Sequence, residues 1–102
     1  MKDLLNALGL VANARQIVSG EILFKKIQQQ KIKLVLTTSD MGKSQLKKIN
    51  DKCNYYNIAI FNGLIDSDQL NKAIGRMNIK AIGIENSNFT KLVLSKIGKG
   101  DV

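Results

Sequence analysis

The stretch KLVLTTSDMGKSQLKKINDKCNYYNIAIF, residues 33–61, decides the fold. It opens on an aliphatic and β-branched run at residues 33–38, which predicts a buried strand. Apolar side chains then recur at helical spacing and predict a helix over about residues 43–56, with Cys53 on its core face. Residues 58–61 predict a second buried strand. A strand, a helix and a strand in this order are typical of a βαβ unit with parallel strands.

Before this unit, apolar side chains are spaced like one face of a helix over about residues 3–13 and again over about residues 21–30. Ser19 is the candidate N-cap of the second helix. Ile17 and Val18 are β-branched residues, so they favour a short extra strand between the two helices.

After the unit, Asp66 and Gln69 form a capping-box pattern at the start of another helix. That helix is predicted to run to about Ile74, with Gly75 as its stop signal. A third strand is predicted at residues 80–84, and a last helix follows it. Helices and strands therefore alternate along the whole sequence.

This alternation predicts a single α/β domain over residues 1–102. The expected architecture is a three-layer α/β/α sandwich around a small, mostly parallel or mixed sheet of about four strands. A full Rossmann fold is excluded, because it needs more strands than a chain of 102 residues can supply.

The amino-acid composition excludes several classes of function. The chain has 16 Lys and Arg against 8 Asp and Glu, a formal net charge of +8, with one Cys and no His. Catalytic triads and His relays are therefore excluded, and no metal site, cofactor or enzymatic activity is expected. The longest apolar run, Ala7–Ala12, is far shorter than the roughly 20 residues that span a bilayer. We expect a cytoplasmic, monomeric protein whose positive charge meets an acidic partner.

Residues 37–44, TTSDMGKS, match a phosphate-binding loop only at their end. Thr37 stands where such a loop needs its first glycine, so a small nucleotide-binding enzyme is the weakest of the functions considered. The alternative interpretation is that Asp40 or Ser39 caps the following helix and Lys43 lies on its solvated first turn.

The basic residues near predicted turns indicate a phosphate-rich partner. Lys25 follows the Ser19-Gly20 turn, Lys43 begins a helix, and Arg76 lies in a turn between a helix and a strand. Spacing alone leaves open whether these turns meet. The few aromatic residues do not alternate with basic residues at strand spacing, which argues against a stacking platform for single strands and favours a structured nucleic acid.

Five segments, in order and over nearly the whole chain, resemble the kink-turn-binding ribosomal-protein family. That family includes the archaeal large-subunit protein seven-Ae, and the S-G-E and C-N-Y-Y stretches look most like its bacterial YlxQ-type branch. The resemblance implies the three-layer sandwich and binding of RNA kink-turns without catalysis. The matching segments are Leu5–Ala14, Val18–Glu21 with Lys25, Lys33–Leu36 with Asp40, Lys52–Ile58, and Leu70–Gly75 with Asn71 in place of a family glycine.

The resemblance also implies where RNA would bind. The family's base-reading Asn-Glu pair falls on Glu21 and Ile22, and its following lysine falls on Lys25. An ionised carboxylate only accepts hydrogen bonds and isoleucine makes none, so the resemblance implies RNA affinity with an altered specificity. The expected RNA-binding residues are Ser19, Gly20, Glu21, Lys25, Lys43, Ile74, Gly75, Arg76, Met77 and Asn78.

The leading hypothesis is therefore a non-catalytic protein that binds a structured, kink-turn-like RNA in a ribosome or ribonucleoprotein. The alternative is a protein-interaction module of the same fold that has lost kink-turn specificity.

Overall fold

A computed structural model describes residues 2–99 as five helices and four strands. The elements are α1 Lys2–Asn13, β1 Ile17–Val18, α2 Gly20–Gln28, β2 Leu34–Thr37, α3 Lys43–Tyr55, β3 Ala59–Asn62, α4 Ser67–Ile74, β4 Ala81–Ile84 and α5 Ser87–Lys99. Their order matches the sequence prediction, including the short extra strand β1.

The four strands form one mixed sheet in the order β1-β4-β2-β3. β2 and β3 are parallel, with Leu34 opposite Ala59, so the predicted βαβ unit is confirmed. The expectation that the second strand is buried is wrong, because β3 lies at the edge of the sheet and is only partly covered. β4 is antiparallel to both β1 and β2, which makes the sheet mixed rather than mostly parallel. β4 begins at the end of the sheet where β3 finishes. The connection between the two strands contains only the eight-residue helix α4, and it does not carry the chain back to the other end.

Helices cover both faces of the sheet and enclose two separate cores. α1, α4 and α5 pack on one face, and α2 and α3 pack on the other, which confirms the three-layer α/β/α sandwich. Cys53 lies in the second core as predicted, and burial raises the pKa of its thiol to about 11. The core residues of the second face are Leu23, Ile27, Ile32, Val35, Ile49 and Cys53.

The predicted capping box of α4 is present. The Asp66 carboxylate accepts a bond from the Gln69 amide at 2.8 Å, and the Gln69 side chain accepts one from the Asp66 amide at 3.0 Å. α4 ends at Gly75, whose φ of 69° is in the left-handed region.

The start of α3 differs from the prediction. Gly42 is its N-cap, so the expectation that Asp40 or Ser39 caps the helix is wrong. The Asp40 carboxylate is used elsewhere, because it accepts hydrogen bonds from the backbone amide and the hydroxyl of Ser67 on α4. Lys43 is the first helical residue and is exposed, as expected.

α2 packs closely against the sheet at Gly83 on β4. A β-carbon there would lie 2.4 Å from a δ-methyl group of Leu23 on α2 and 3.2 Å from a methyl group of Ile32. Both neighbours are buried and have little room to move. The absence of a side chain at Gly83 therefore sets the depth at which α2 sits on the sheet.

Replacing Gly83 with valine should lower the free energy of unfolding by about 1–3 kcal/mol through overpacking against Leu23 and Ile32. Urea denaturation followed by circular dichroism measures this change. Gly42→Ser is the matched control, because a β-carbon at Gly42 meets no atom within 4 Å and serine is a favoured N-cap. Equal stability of Gly83→Val and the control would contradict this account of α2 packing.

Candidate nucleic-acid interface

The loops that the sequence singles out meet at one end of the sheet, where β1, β2 and β3 end and β4 begins. The Arg76 guanidinium, in the turn between α4 and β4, donates a hydrogen bond to the Ser19 hydroxyl at 3.0 Å. It also approaches the carbonyl oxygen of Ile17 at 3.5 Å. The turn before α2 and the turn after α4 therefore form one continuous surface.

A groove of about 390 Å³ opens beside this contact, between the first turns of α2 and α3 and the chain that leads into β4. A second depression adjoins it and shares Gly20, Phe24 and Gln45 with it. We call the two together the α2–α3 groove. Its lining residues are Gly20, Glu21, Leu23, Phe24, Met41, Gly42, Ser44, Gln45, Lys48, Asn78, Ile79, Lys80 and Ala81.

Three of the expected RNA-binding residues, Gly20, Glu21 and Asn78, line the groove itself. Lys25 is exposed one helical turn beyond Glu21, and residues four apart lie on the same side of a helix. Lys43 is exposed between two lining residues without lining the groove.

The remaining expected positions lie in or beside the turn after α4. Gly75 is the exposed C-cap of α4, and Met77 is 82% exposed in the turn that follows. Ile74 is only 7% exposed and packs in the core under α1, so its side chain is not part of the surface. Ile22, the second member of the family's base-reading pair, is 61% exposed but lies outside the groove lining.

Two helices begin at this surface without a side-chain cap. The N-caps of α2 and α3, Ser19 and Gly42, make no capping hydrogen bond to any residue between 2 and 99, in contrast to the capping box of α4. The Ser19 hydroxyl instead accepts a bond from Arg76. First-turn amide groups without a side-chain acceptor, together with the positive end of the helix dipole, suit an anionic ligand.

Asn71 is a supporting residue whose role in the site was not predicted from sequence. Its side chain donates to the Ile79 carbonyl at 2.9 Å and accepts from the Ile79 amide at 3.0 Å. Its own carbonyl accepts a bond from the Arg76 amide at 3.1 Å. Asn71 therefore closes both ends of the turn that presents Arg76, Met77 and Asn78, which a glycine at this position could not do.

Asp40 and Lys80 form a second support beside the groove. Besides its bonds from Ser67, the Asp40 carboxylate lies 3.6 Å from the Lys80 ammonium, which also donates to the Asp40 carbonyl at 3.3 Å. The Ser67 hydroxyl bond holds the pKa of Asp40 far below its usual range. These contacts join the loop before α3 to α4 and to the start of β4.

The basic residues divide into paired and unpaired groups. Lys26 lies 2.6 Å from Glu85 and lowers the pKa of that carboxyl group by direct hydrogen bonding. Lys47 lies 2.9 Å from Asp51. Neither Lys25 nor Lys43 forms an ion pair with any of the residues that the structure describes, so their charges remain available to a ligand.

The phosphate-binding-loop interpretation does not fit the structure. Thr37, at the position of the missing glycine, is the buried last residue of β2, and its hydroxyl donates to the Asn62 side chain at 2.6 Å. Across residues 2–99 no three acidic, Cys or His side chains gather at a place that could hold a metal ion. The same residues contain no helix long and apolar enough to span a membrane.

Two known proteins have sequences similar to that of this chain. RNA-binding protein YlxQ of Bacillus subtilis (strain 168) is 34% identical over 89 residues, which cover 86% of this chain and 88% of the relative. RNA-binding protein YlxQ of Enterococcus faecium is 31% identical over 88 residues, which cover 85% and 84% of the two chains. The chain belongs to the YlxQ family. The resemblance inferred from the sequence is therefore confirmed, although no family model matches the chain.

Two solved structures superimpose on nearly the whole of this chain. A protein of unknown function from Bacillus halodurans C superimposes with a TM-score of 0.88 at 32% identity, over 96% of this chain and 99% of that one. The Giardia lamblia 15.5kD RNA binding protein superimposes with a TM-score of 0.75 over 96% of this chain and 84% of its own, and at 19% identity it shares the fold.

Replacing Asn71 with alanine should destabilise this YlxQ-family protein by about 1–3 kcal/mol, because the backbone groups of Ile79 lose their partners. Urea denaturation followed by circular dichroism measures this change. Asn88→Ala, at an exposed position on α5, is the control. Unchanged stability in Asn71→Ala would show that the clamp contributes nothing.

Proposed function

We propose that the chain is a non-catalytic RNA-binding protein that holds a structured, kink-turn-like RNA at the α2–α3 groove, in a ribosome or another ribonucleoprotein. The hydrogen bond between Arg76 and Ser19 supports this most directly, because it joins the two turns that the family resemblance assigns to RNA. The proposed contact residues are Ser19, Gly20, Glu21, Lys25, Lys43, Gly75, Arg76, Met77 and Asn78.

Electrostatics supports an RNA ligand. The chain has a net charge of +8, and the side chains that the structure describes, up to residue 97, form only three ion pairs. Lys25 and Lys43 are exposed and unpaired in this part of the chain. Lys43 is the first residue of α3, whose start is uncapped, whereas Lys25 lies in the last turn of α2. Phosphate groups satisfy both the ammonium groups and the first-turn amides, and they provide most of the affinity for nucleic acid.

The two YlxQ relatives support the same ligand, since both are named RNA-binding proteins. We extend that property to this chain on the strength of 34% and 31% identity over most of its length. An enzymatic role has no such support, because neither name describes an enzyme.

The groove lining supports a specificity that differs from the family pattern. Glu21 lines the groove, and its carboxylate can only accept hydrogen bonds when ionised. It therefore favours base amino groups and is repelled by phosphates. The backbone-holding residues remain, so we propose that kink-turn-like shape is recognised while the paired bases at the kink are read less well.

A gel shift with a kink-turn RNA, a simple duplex and a single strand, over a range of salt concentrations, tests the proposal. We expect the kink-turn RNA to bind most tightly at about 100 mM salt. Equal binding to all three RNAs would leave only nonspecific phosphate attraction. Absence of tight binding to every RNA would overturn the proposed function.

A protein-interaction role is the second candidate. Ile22 and Met77 are both exposed apolar side chains on the segments that border the site, which suits a protein surface. A pull-down from ribonuclease-treated lysate separates the candidates. A partner held through RNA disappears after ribonuclease treatment, whereas a direct protein partner stays bound.

Replacing Lys25 with alanine should weaken binding to every RNA. It should also reduce the slope of log Kd against log salt concentration by about 1, the value expected for one lost phosphate contact. The fold should be unaffected, because an exposed lysine contributes little stability. Kd measured at several salt concentrations gives both quantities. Lys91→Ala on α5, in the opposite helical layer, is the control and should bind like wild type. An unchanged affinity in Lys25→Ala would move the site elsewhere.

Replacing Glu21 with asparagine and Ile22 with glutamate should raise the affinity for kink-turn RNA, since the pair regains donors and acceptors for base edges. A good bidentate base contact contributes about 1–3 kcal/mol of discrimination. Both positions are exposed, so the fold tolerates the change. Kd for kink-turn RNA and for a duplex should be compared. An equal rise for both RNAs, or no rise, would show that the family register does not apply to these residues.

A further inference from the structure

The α2–α3 groove continues along a stripe on α3. Gln45 and Lys48 line the groove, and Lys52 and Tyr55 follow them at spacings of four and three residues. Residues at such spacings share one side of a helix. The stripe from Gln45 to Tyr55 is about 15 Å long at 1.5 Å per residue.

Positive charge on this stripe has no compensating acid. Neither Lys48 nor Lys52 forms an ion pair with any residue from 2 to 99. The single carboxylate of α3, Asp51, is bonded by Lys47 at 2.9 Å. The Lys48 ammonium lies 5.2 Å above the ring of Phe24, so it is held at the mouth of the groove by a cation–π contact.

Tyr55 ends the stripe with an aromatic ring that is 81% exposed. The ring of Tyr56 contacts it edge-on at a centroid distance of 4.8 Å. Tyr56 itself is half-buried against the core between α2 and α3. A large exposed ring with a fixed neighbour suits stacking on a flat partner, and every nucleic-acid base offers such a face.

We propose that an unpaired segment of RNA leaves the α2–α3 groove along α3, with phosphates on Lys48 and Lys52 and a base stacked on Tyr55. This inference rests on the proposed RNA binding at the groove and extends the contact beyond the turns around Arg76. The stripe matches about four nucleotides at a stacked spacing of ~3.4 Å. Charge complementarity and continuity with the groove identify RNA as its occupant.

The experiment compares a kink-turn RNA with the same RNA carrying five unpaired uridines at its 5′ or 3′ end. In the wild-type protein, one of the two extensions should tighten Kd by about fivefold or more, the effect expected from one base stacked on an aromatic ring. Tyr55→Ala should abolish that gain, and Tyr55→Phe should retain it. Lys91→Ala, at an exposed position on α5 in the opposite helical layer, should keep the gain.

Tyrosine fluorescence gives a direct readout, because the chain has two tyrosines and no tryptophan. In Tyr56→Phe, Tyr55 is the only tyrosine emitter. The extended RNA should quench its emission, and the RNA without an extension should leave the emission unchanged.

The results distinguish this inference from the proposed function. If wild-type protein binds the kink-turn RNA but neither extension adds affinity, the α3 stripe is not an RNA path and only this inference fails. The inference is also overturned if Tyr55→Ala lowers the affinity for the RNA equally with and without the extension. If no RNA binds at all, the proposed function fails with it. Displacement of the extension by an acidic peptide as readily as by a uridine pentamer would show that only charge matters.

Discussion

Leu23 of α2 packs directly onto the backbone of β4 at Gly83, where a β-carbon would lie 2.4 Å from the leucine methyl group. This contact sets the depth of α2 on the sheet, and with it the position of Gly20 and Glu21 at the head of the helix. β4 runs antiparallel to both of its neighbours, β1 and β2, so its first residues lie at the end of the sheet where those strands finish. The α2–α3 groove forms because the start of α2 and the start of β4 lie next to each other at this end of the sheet.

Polar contacts then hold the loops around the groove in fixed positions. Asn71 clamps the turn that presents Arg76, and Asp40 joins the loop before α3 to Ser67 and Lys80. A ligand that meets loops already ordered loses less conformational entropy on binding. The turns around the groove are thus preorganised. The side chains of Asn71 and Asp40 hold these turns in place and are therefore not free to bind a ligand themselves.

The fold places some lysines in ion pairs and leaves others free to meet a ligand. Lys26, Lys47 and Lys80 are engaged with Glu85, Asp51 and Asp40 respectively. The lysines left without ion pairs in the described part of the chain include Lys43 at the uncapped start of α3, Lys25 in the last turn of α2, and those on the stripe that leads to Tyr55. At the start of α3 the Lys43 charge therefore lies beside first-turn amides that have no side-chain acceptor, which favours a phosphate-rich ligand.

The sequence by itself determined the alternation of helices and strands, the capping box at Asp66, the burial of Cys53 and the family resemblance. These features depend on spacings of a few residues, because local periodicity records which side of each element is buried. Only the tertiary structure decided that β4 is antiparallel and that Arg76 meets Ser19, 57 residues away. It also decided that Ile74 is buried and that Asp40 supports α4 rather than capping α3. Such contacts depend on where the topology brings distant segments together, and no local pattern of side chains records that.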